Sequence, residues 1–348
     1  MPLPGASRYR RWMNLYQIGE FGLIDRIRRR FPLAKKPLLI GIGDDSAAVR
    51  PKKNMDILLT TDLLIEDIHF DLNYTSFQQL GYKSLAVNIS DIAAMGGIPR
   101  FLVVSLALPG GLDIKDIDSL YKGIGVLAKK FGILLIGGDI SASKRGIFIS
   151  ITLLGEIEHG AAVTRSGARP GDTIMVTGTL GDSSAGLEIL GKGEEKDNGY
   201  KFLIKRHLLP IPRVDEGRVL STGRLATSMI DISDGLISDL SHILKESGVG
   251  AELYPDKIPI STPLRSYSSG KKVSPLKFAL SGGEDYELLF TSSKKSAQKI
   301  ISSPLLKKTG ISVIGRIEKK KGIRWSGDYD IGEEIFKKGY DHFSGKTF

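Results

Sequence analysis

GIGDDSAAV, residues 41–49, sets two adjacent carboxylates, Asp44 and Asp45, at the end of the apolar run LLIGIGD (38–44). On a half-buried strand such charges are expensive, costing several kcal/mol per ion when no counter-charge is near. The pattern recurs in TTD (60–62), NISDIAAMGG (88–97), IGGDIS (136–141) and DISDG (231–235). Each places carboxylates where an apolar run stops, and each lacks a neighbouring cation in the sequence.

Composition limits what that cation could be. At 348 residues and 41% hydrophobic content the chain buries a substantial core and divides more naturally into two domains than one. It has no cysteine, which removes disulfides and thiolate chemistry and suits a reducing compartment. Neither a signal peptide nor an apolar run near the 18 or so residues of a membrane span is evident, so a cytoplasmic protein without membrane contact is expected.

The net charge of +10 is unevenly spread: residues 1–36 carry nine Lys/Arg against two acids and residues 294–324 carry ten against one, leaving −6 for the rest. The body that holds the carboxylates is therefore acidic. No aromatic interleaving or helix-turn-helix pattern accompanies the basic ends, so they are read as solvated surface with a frayed N-terminal arm, and no nucleic-acid partner is expected.

Periodicity alternates strands with helices. Strands are predicted at 38–44, 57–64, 101–109, 132–139 and 146–157, with helices at 77–95 and 116–131. After the polar stretch 158–172 the pattern restarts with strand 173–181, helices near 183–191 and 200–209, strand 226–233 and helix 235–247. Strand 286–293, a helix near 295–308 and strand 311–318 complete it. The reading is two mixed α/β domains, 1–160 and 161–348.

Within helix 77–95, Leu85, Ile89, Ile92 and Ala93 form a core stripe, while Ser84, Asn88 and Asp91 form a polar row at i, i+4 and i+7. Ser, Asn and Asp are poor mid-helix residues, so the row points to a task beyond helix formation. In DISDGLISDL, Ser233 or Asp234 is placed to cap the following helix, which leaves Asp231 at a strand end unexplained.

Hard oxygen ligands, no Cys and isolated His select Mg²⁺ or Mn²⁺ over Zn²⁺. Magnesium is seldom caged by protein alone, so a polyphosphate is expected with it. GLEILGKG (186–193) approaches a P-loop but ends in Gly and sits in a helical pattern, and is set aside.

Taken in order, GIGDDSAAV, TTDLLIEDIHF, GYKSLAVNISDIAAMGG, IGGDIS, TRSGARPGDTIMVTGTLGDSSAGL, DISDGLISDL, LSGGEDYELLFT and GYDHF resemble the thiamine-monophosphate kinases, of the superfamily that includes aminoimidazole ribonucleotide synthetase. The resemblance spans about residues 17–343. It implies ATP-dependent phosphorylation of thiamine monophosphate to the diphosphate. The implied fold is an N-terminal α/β domain whose sheet forms a barrel-like core with that of a second subunit, followed by a C-terminal α/β domain.

The resemblance also implies magnesium ligands at Asp45, Thr61, Asp62, Asp91, Asp139 and Asp231, with Thr60 and Asp234 as further members. ATP contacts would fall at Tyr121, Gly138, Asp139, Arg165 and Ser233, and substrate contacts at His69, Glu284 and Tyr340. No general base is implied. Two rival readings stay open on sequence alone: a sister ATP-dependent activity of the superfamily, such as cyclisation or selenophosphate synthesis, and a non-catalytic nucleotide- or nucleic-acid-binding module.

Overall fold

A computed structural model of the chain describes residues 15–30, 38–40, 48–194 and 198–327. Two units emerge, one of residues up to 92 together with 98–159, the other of residues 93–97 with 160 onward.

The first unit opens with helix α1 (Leu15–Arg30) and a short antiparallel pair, β1 (Leu38–Ile40) and β2 (Ala48–Val49). β3 (Met55–Ile65), helix α2 (Phe77–Ala94), β4 (Ile98–Pro109), helix α3 (Ile114–Phe131), β5 (Leu134–Ser143) and β6 (Phe148–Glu158) follow. Four strands make one sheet in the order β3-β6-β4-β5, antiparallel except where α3 carries the chain across from β4 to its parallel neighbour β5. Strict alternation sets the buried face: Leu102, Val104, Leu106 and Leu108 of β4 meet Ile149, Ile151 and Leu153 of β6.

α3 starts where the Asp113 side chain accepts the Lys115 N–H and stops at Gly132, left-handed at φ 66°. Its buried stripe, Ile117, Leu120, Ile124 and Leu127, recurs at helical spacing. α2 crosses α3 at contact distance, because a Cβ on Gly81 would come within 1.9 Å of the Leu120 carbonyl oxygen and one on Gly123 within 2.0 Å of the Gln78 oxygen.

The arm expected to be frayed, residues 1–14, lies outside the described residues; α1 begins at Leu15, with Leu23 and Ile27 buried and Arg26 paired bidentately with Asp118. In the polar row of α2, Ser84 and Asn88 are fully buried and Asp91 is half-buried. The two buried side chains donate back along the helix, Ser84 Oγ to Leu80 O at 2.8 Å and Asn88 Nδ2 to Ser84 O at 3.1 Å, while the buried Asn88 Oδ1 accepts no hydrogen bond among the described residues.

The second unit runs β7 (Thr173–Thr177), α4 (Asp182–Gly191), α5 (Lys201–Leu208), α6 (Val214–Thr222), β8 (Ser228–Asp231), α7 (Leu236–Ser247) and β9 (Gly250–Leu253). It continues through α8 (Thr262–Lys271), α9 (Pro275–Ser281), β10 (Leu288–Ser292), α10 (Lys294–Ser302), α11 (Pro304–Thr309), β11 (Ile311–Glu318) and β12 (Gly322–Trp325). The sheet order is β12-β9-β11-β7-β10-β8, antiparallel except for β12 on β9. Ile174, Val176, Ile230, Leu289 and Ile314 pack on one face against Leu236, Leu240 and Ile243 of α7, while Met175, Met229, Leu288 and Phe290 meet Ile300 of α10 and Leu306 of α11 on the other.

The predicted strand 173–181 stops at Thr177 because Gly178 (φ 59°) and Gly181 (φ 83°) turn the chain left-handed. The predicted helix 295–308 is two helices, broken before Pro304, whose ring cannot continue a helix interior. Among the described residues no helix is long and apolar enough to cross a membrane.

Candidate active site

In the first unit the sheet presents two separate sets of polar groups. Thr60 and Asp62 project from one face of β3 toward α2, where Thr60 Oγ1 donates to Asp91 Oδ2 at 2.5 Å. Burial, reinforced by the charge of Asp91, pushes the Asp62 carboxyl up to about 7. Two acids thus share a half-buried place, and a divalent ion relieves such crowding of like charges.

Thr61 is not brought into that set. Pointing to the opposite face of β3, it accepts from Thr152 Oγ1 at 3.2 Å and lies 3.5 Å from Ser150 Oγ. Asp139 also stands apart: Asp62 pairs across to Ile151, Ile151 to Val104, and Val104 to Gly138. Three strand spacings, about 14 Å, therefore separate the two edges. Asp139 itself is exposed, its Oδ1 accepting the Ile140 N–H.

Gly138 is fixed as glycine by the sheet, since a Cβ would meet the Val104 oxygen at 2.1 Å. Tyr121 is buried on α3, and burial drives its phenol pKa up. His69, just after β3, accepts the Ile65 N–H on Nδ1 at 3.0 Å, which fixes its tautomer with the proton on Nε2 when neutral. Asp45 and Tyr340 lie outside the described residues.

In the second unit the turn after β8 gathers Asp231, Ser233 and Asp234. The expected cap is corrected: α7 is capped by Gly235 without a side-chain bond. The turn is instead held by Asp239, buried in the first turn of α7, whose Oδ2 accepts the N–H groups of Ser233 and Asp234 at 3.1 Å each. Burial, with the charges of Asp231 and Asp234, raises Asp239 to about 8. Glu284 joins this turn, its N–H donating to the Ser233 carbonyl at 2.8 Å. Arg165 is exposed on the loop before β7.

Sequence reasoning passed over Asp239, and also Asp285, a buried acid raised to about 7 chiefly by burial, which accepts the N–H groups of Gly181 (2.6 Å) and Ser183 (3.2 Å). The repeated acid in DISDGLISDL and the run Glu284-Asp285 were the only signals for either. Among the described residues no three Asp, Glu or His side chains gather closely enough to hold an ion by themselves.

The raised Asp62 carboxyl has a measurable consequence. A carboxyl titrating near 7 is largely protonated at pH 6 and must release its proton to bind a cation. Mg²⁺ is therefore expected to raise the melting temperature of the chain more at pH 8 than at pH 6. Equal shifts at the two pH values would separate Asp62 from any cation site.

Residues 43–157 match the family described as AIR synthase related protein, N-terminal domain, and residues 169–326 match its C-terminal domain. The thiamine-monophosphate kinase of Aquifex aeolicus (strain VF5) is 39% identical over 334 residues, 95% of this chain and 100% of that one. Its counterpart in Bacillus subtilis (strain 168) is 38% identical, covering 93% and 99%. Among solved structures, thiamine-monophosphate kinase from Stenotrophomonas maltophilia K279a is similar with a TM-score of 0.80 at 36% identity, over 88% of this chain and 96% of that one. AaThiL complexed with AMPPCP and TMP gives 0.75 at 38% identity, over 96% and 100%.

Proposed function

The chain belongs to the thiamine-monophosphate kinase family, and from that premise we propose that it carries the γ-phosphoryl group of ATP directly to thiamine monophosphate. The observation that carries the reading is likeness over nearly the whole length to kinases of this name, together with the similar AaThiL structure that holds AMPPCP and TMP. An oxygen of the thiamine phosphate attacks the γ-phosphorus while the bond to the β–γ bridging oxygen breaks, and ADP leaves. The acceptor is a phosphate monoester with a second pKa near 6, already largely dianionic at neutral pH, so no side chain has to remove a proton.

The oxygen-only set Thr60, Asp62 and Asp91 suits one magnesium ion of several, and Asp45, Thr61, Asp139, Asp231 and Asp234 are proposed as ligands of further ions. Bound there with ATP, magnesium would offset the repulsion between the two anions and stabilise the transferring group. Tyr121, Gly138, Asp139, Arg165 and Ser233 are the proposed ATP contacts, and His69, Glu284 and Tyr340 the substrate contacts. The units 1–160 and 161–348 would act as a metal- and ATP-binding dimerisation domain and a C-terminal α/β domain.

A homodimer is part of the proposal. β3 is an edge strand whose outer face carries Ile57, Leu59 and Leu63, 43%, 68% and 50% exposed. Such a row invites burial against a second copy, whose sheet would complete a barrel. Leu59→Lys is expected to turn a dimer into a monomer by light scattering, and a wild-type monomer would discard this part. Lack of cysteine suits the cytoplasm.

The test is a coupled ADP assay. ADP should form with thiamine monophosphate and not with free thiamine, and γ-labelled ATP alone should leave the chain unlabelled. Label that appears on the protein and then passes to thiamine monophosphate would replace direct transfer with a relay; no ADP with the monophosphate would withdraw the reading.

A further inference from the structure

α5 ends in two adjacent basic side chains, Arg206 and His207, both buried. Each grips a different acid of the loop between α9 and β10. Arg206 Nη2 donates to Glu287 Oε1 at 2.6 Å, while His207 Nδ1 lies 3.2 Å from Glu284 Oε2 and 3.2 Å from Ser183 Oγ. An ionised carboxylate only accepts hydrogen bonds, so a hydrogen bond between His207 and Glu284 would place the imidazole proton on Nδ1, with Ser183 Oγ the other group within reach.

The backbone of Glu284 is fixed independently of its side chain. Its N–H donates to Ser233 O, and Asp285 beside it is clamped by the N–H groups of Gly181 and Ser183. Its φ is +65°, a left-handed conformation that a glutamate adopts only when its surroundings impose it. The side chain is not fixed by these backbone bonds, and ordering a glutamate side chain costs up to about 2 kcal/mol. His207 meets it from the buried side: its own side chain is 4% exposed, whereas that of Glu284 keeps 29% of its surface open.

We propose that His207 is a positioning residue for Glu284, holding this carboxylate in place to receive the cationic thiazolium-bearing portion of thiamine monophosphate. The inference rests on the substrate role given to Glu284 above. It assigns His207 no contact with substrate. Its effect is preorganisation, which shows in the affinity for one substrate and not in the chemical step.

His207→Phe keeps the ring volume and removes the donor. The expected result is a KM for thiamine monophosphate raised about tenfold, a difference of about 1.4 kcal/mol, with the KM for ATP and kcat moving less than about twofold. His207→Asn, whose amide can take the place of Nδ1, should restore most of the loss, while His207→Gln, whose amide reaches toward the Nε2 position, should not. If the phenylalanine variant does not fold, the Asn and Gln pair decides by itself, since equal KM values in the two overturn the proposal. A rise in both KM values together with a fall in melting temperature would show a structural role only and overturn it too. Glu284→Gln separates the premise from the inference. An unchanged KM for thiamine monophosphate there withdraws the role of Glu284 and the proposal with it, whereas a raised KM with unaffected His207 variants removes only the positioning.

Discussion

Asparagine in place of Asp91 is expected to lower turnover by about two orders of magnitude or more while the fold persists. The side chain keeps its shape, and the Thr60 hydroxyl, 2.5 Å from Oδ2, can donate to the amide oxygen as it does to the carboxylate. What disappears is the charge. Since Asp91 helps to raise Asp62, its loss also relieves a like-charge repulsion in the metal-free chain, so the melting temperature without Mg²⁺ should hold or rise. A variant that is at least as stable and nearly inactive is the signature of a charge kept for function. Turnover near that of the parent at saturating Mg²⁺ would show that this acid holds no cation during transfer.

Glu287→Gln is the structural counterpart. Glu287 is fully buried and takes four close bonds: from Arg206 Nη2, Arg213 Nε and Thr177 Oγ1 at 2.6 Å each, and from Arg213 Nη2 at 2.5 Å. Removing its charge takes this carboxylate from the buried Arg206 and leaves the half-buried Arg213 only the longer contact to Glu216 at 3.8 Å, a loss of about 3–5 kcal/mol. In a unit of this size each kcal/mol lowers the melting temperature by about 2–4 °C, so a fall of roughly 10 °C is expected in a thermal melt. A fall below about 2 °C would mean that the unit relaxes around the change.

Burial alone would raise the Glu287 carboxyl, but Arg213 and then Arg206 outweigh it and hold it below its ordinary 4.5. Its contribution is complete above that ordinary value and disappears as pH falls through the depressed one. The stability gap between parent and variant should therefore narrow only below about pH 4.5.

Element type was largely legible because alternation in β4 and β6 and the 3.6-residue stripe of α3 are strong patterns. Pairing direction was not. A strand-helix-strand rhythm suggests parallel sheets, yet β6 inserts antiparallel between β3 and β4, a choice made by tertiary contacts that no local spacing records. β9 and β12 are four residues each and lie among glycines and lysines, too short to show a period. α6, α8 and α9 were missed because they are short, seven to ten residues each, and α8 is also broken up by Ser and Gly.

At the candidate site, composition marked Asp62, Asp91 and Asp231 through the oddity of acids ending apolar runs. It could not separate Thr60 from Thr61, because which of two neighbours faces α2 depends on strand register, and slipping by one residue reverses it. Nor could it find His207, whose partner Glu284 lies 77 residues further along the chain.

The crossing of α2 over α3 bears on how the first unit moves in time. From Leu80 to Ser90 almost every side chain of α2 is buried, and at Gly81 and Gly123 each backbone touches the other with nothing between them. A helix so enclosed has no partial opening that exposes its amides while the remainder stays folded. Its central N–H groups should exchange with deuterium only at the rate set by unfolding of the whole unit, far more slowly than those of the edge strand β3. Deuterium uptake along α2 would then read out the stability of the unit directly. The helix that presents Asp91 is thus fixed on the timescale of turnover, and the rearrangement needed to admit and release two nucleotide-sized anions has to come from other parts of the chain.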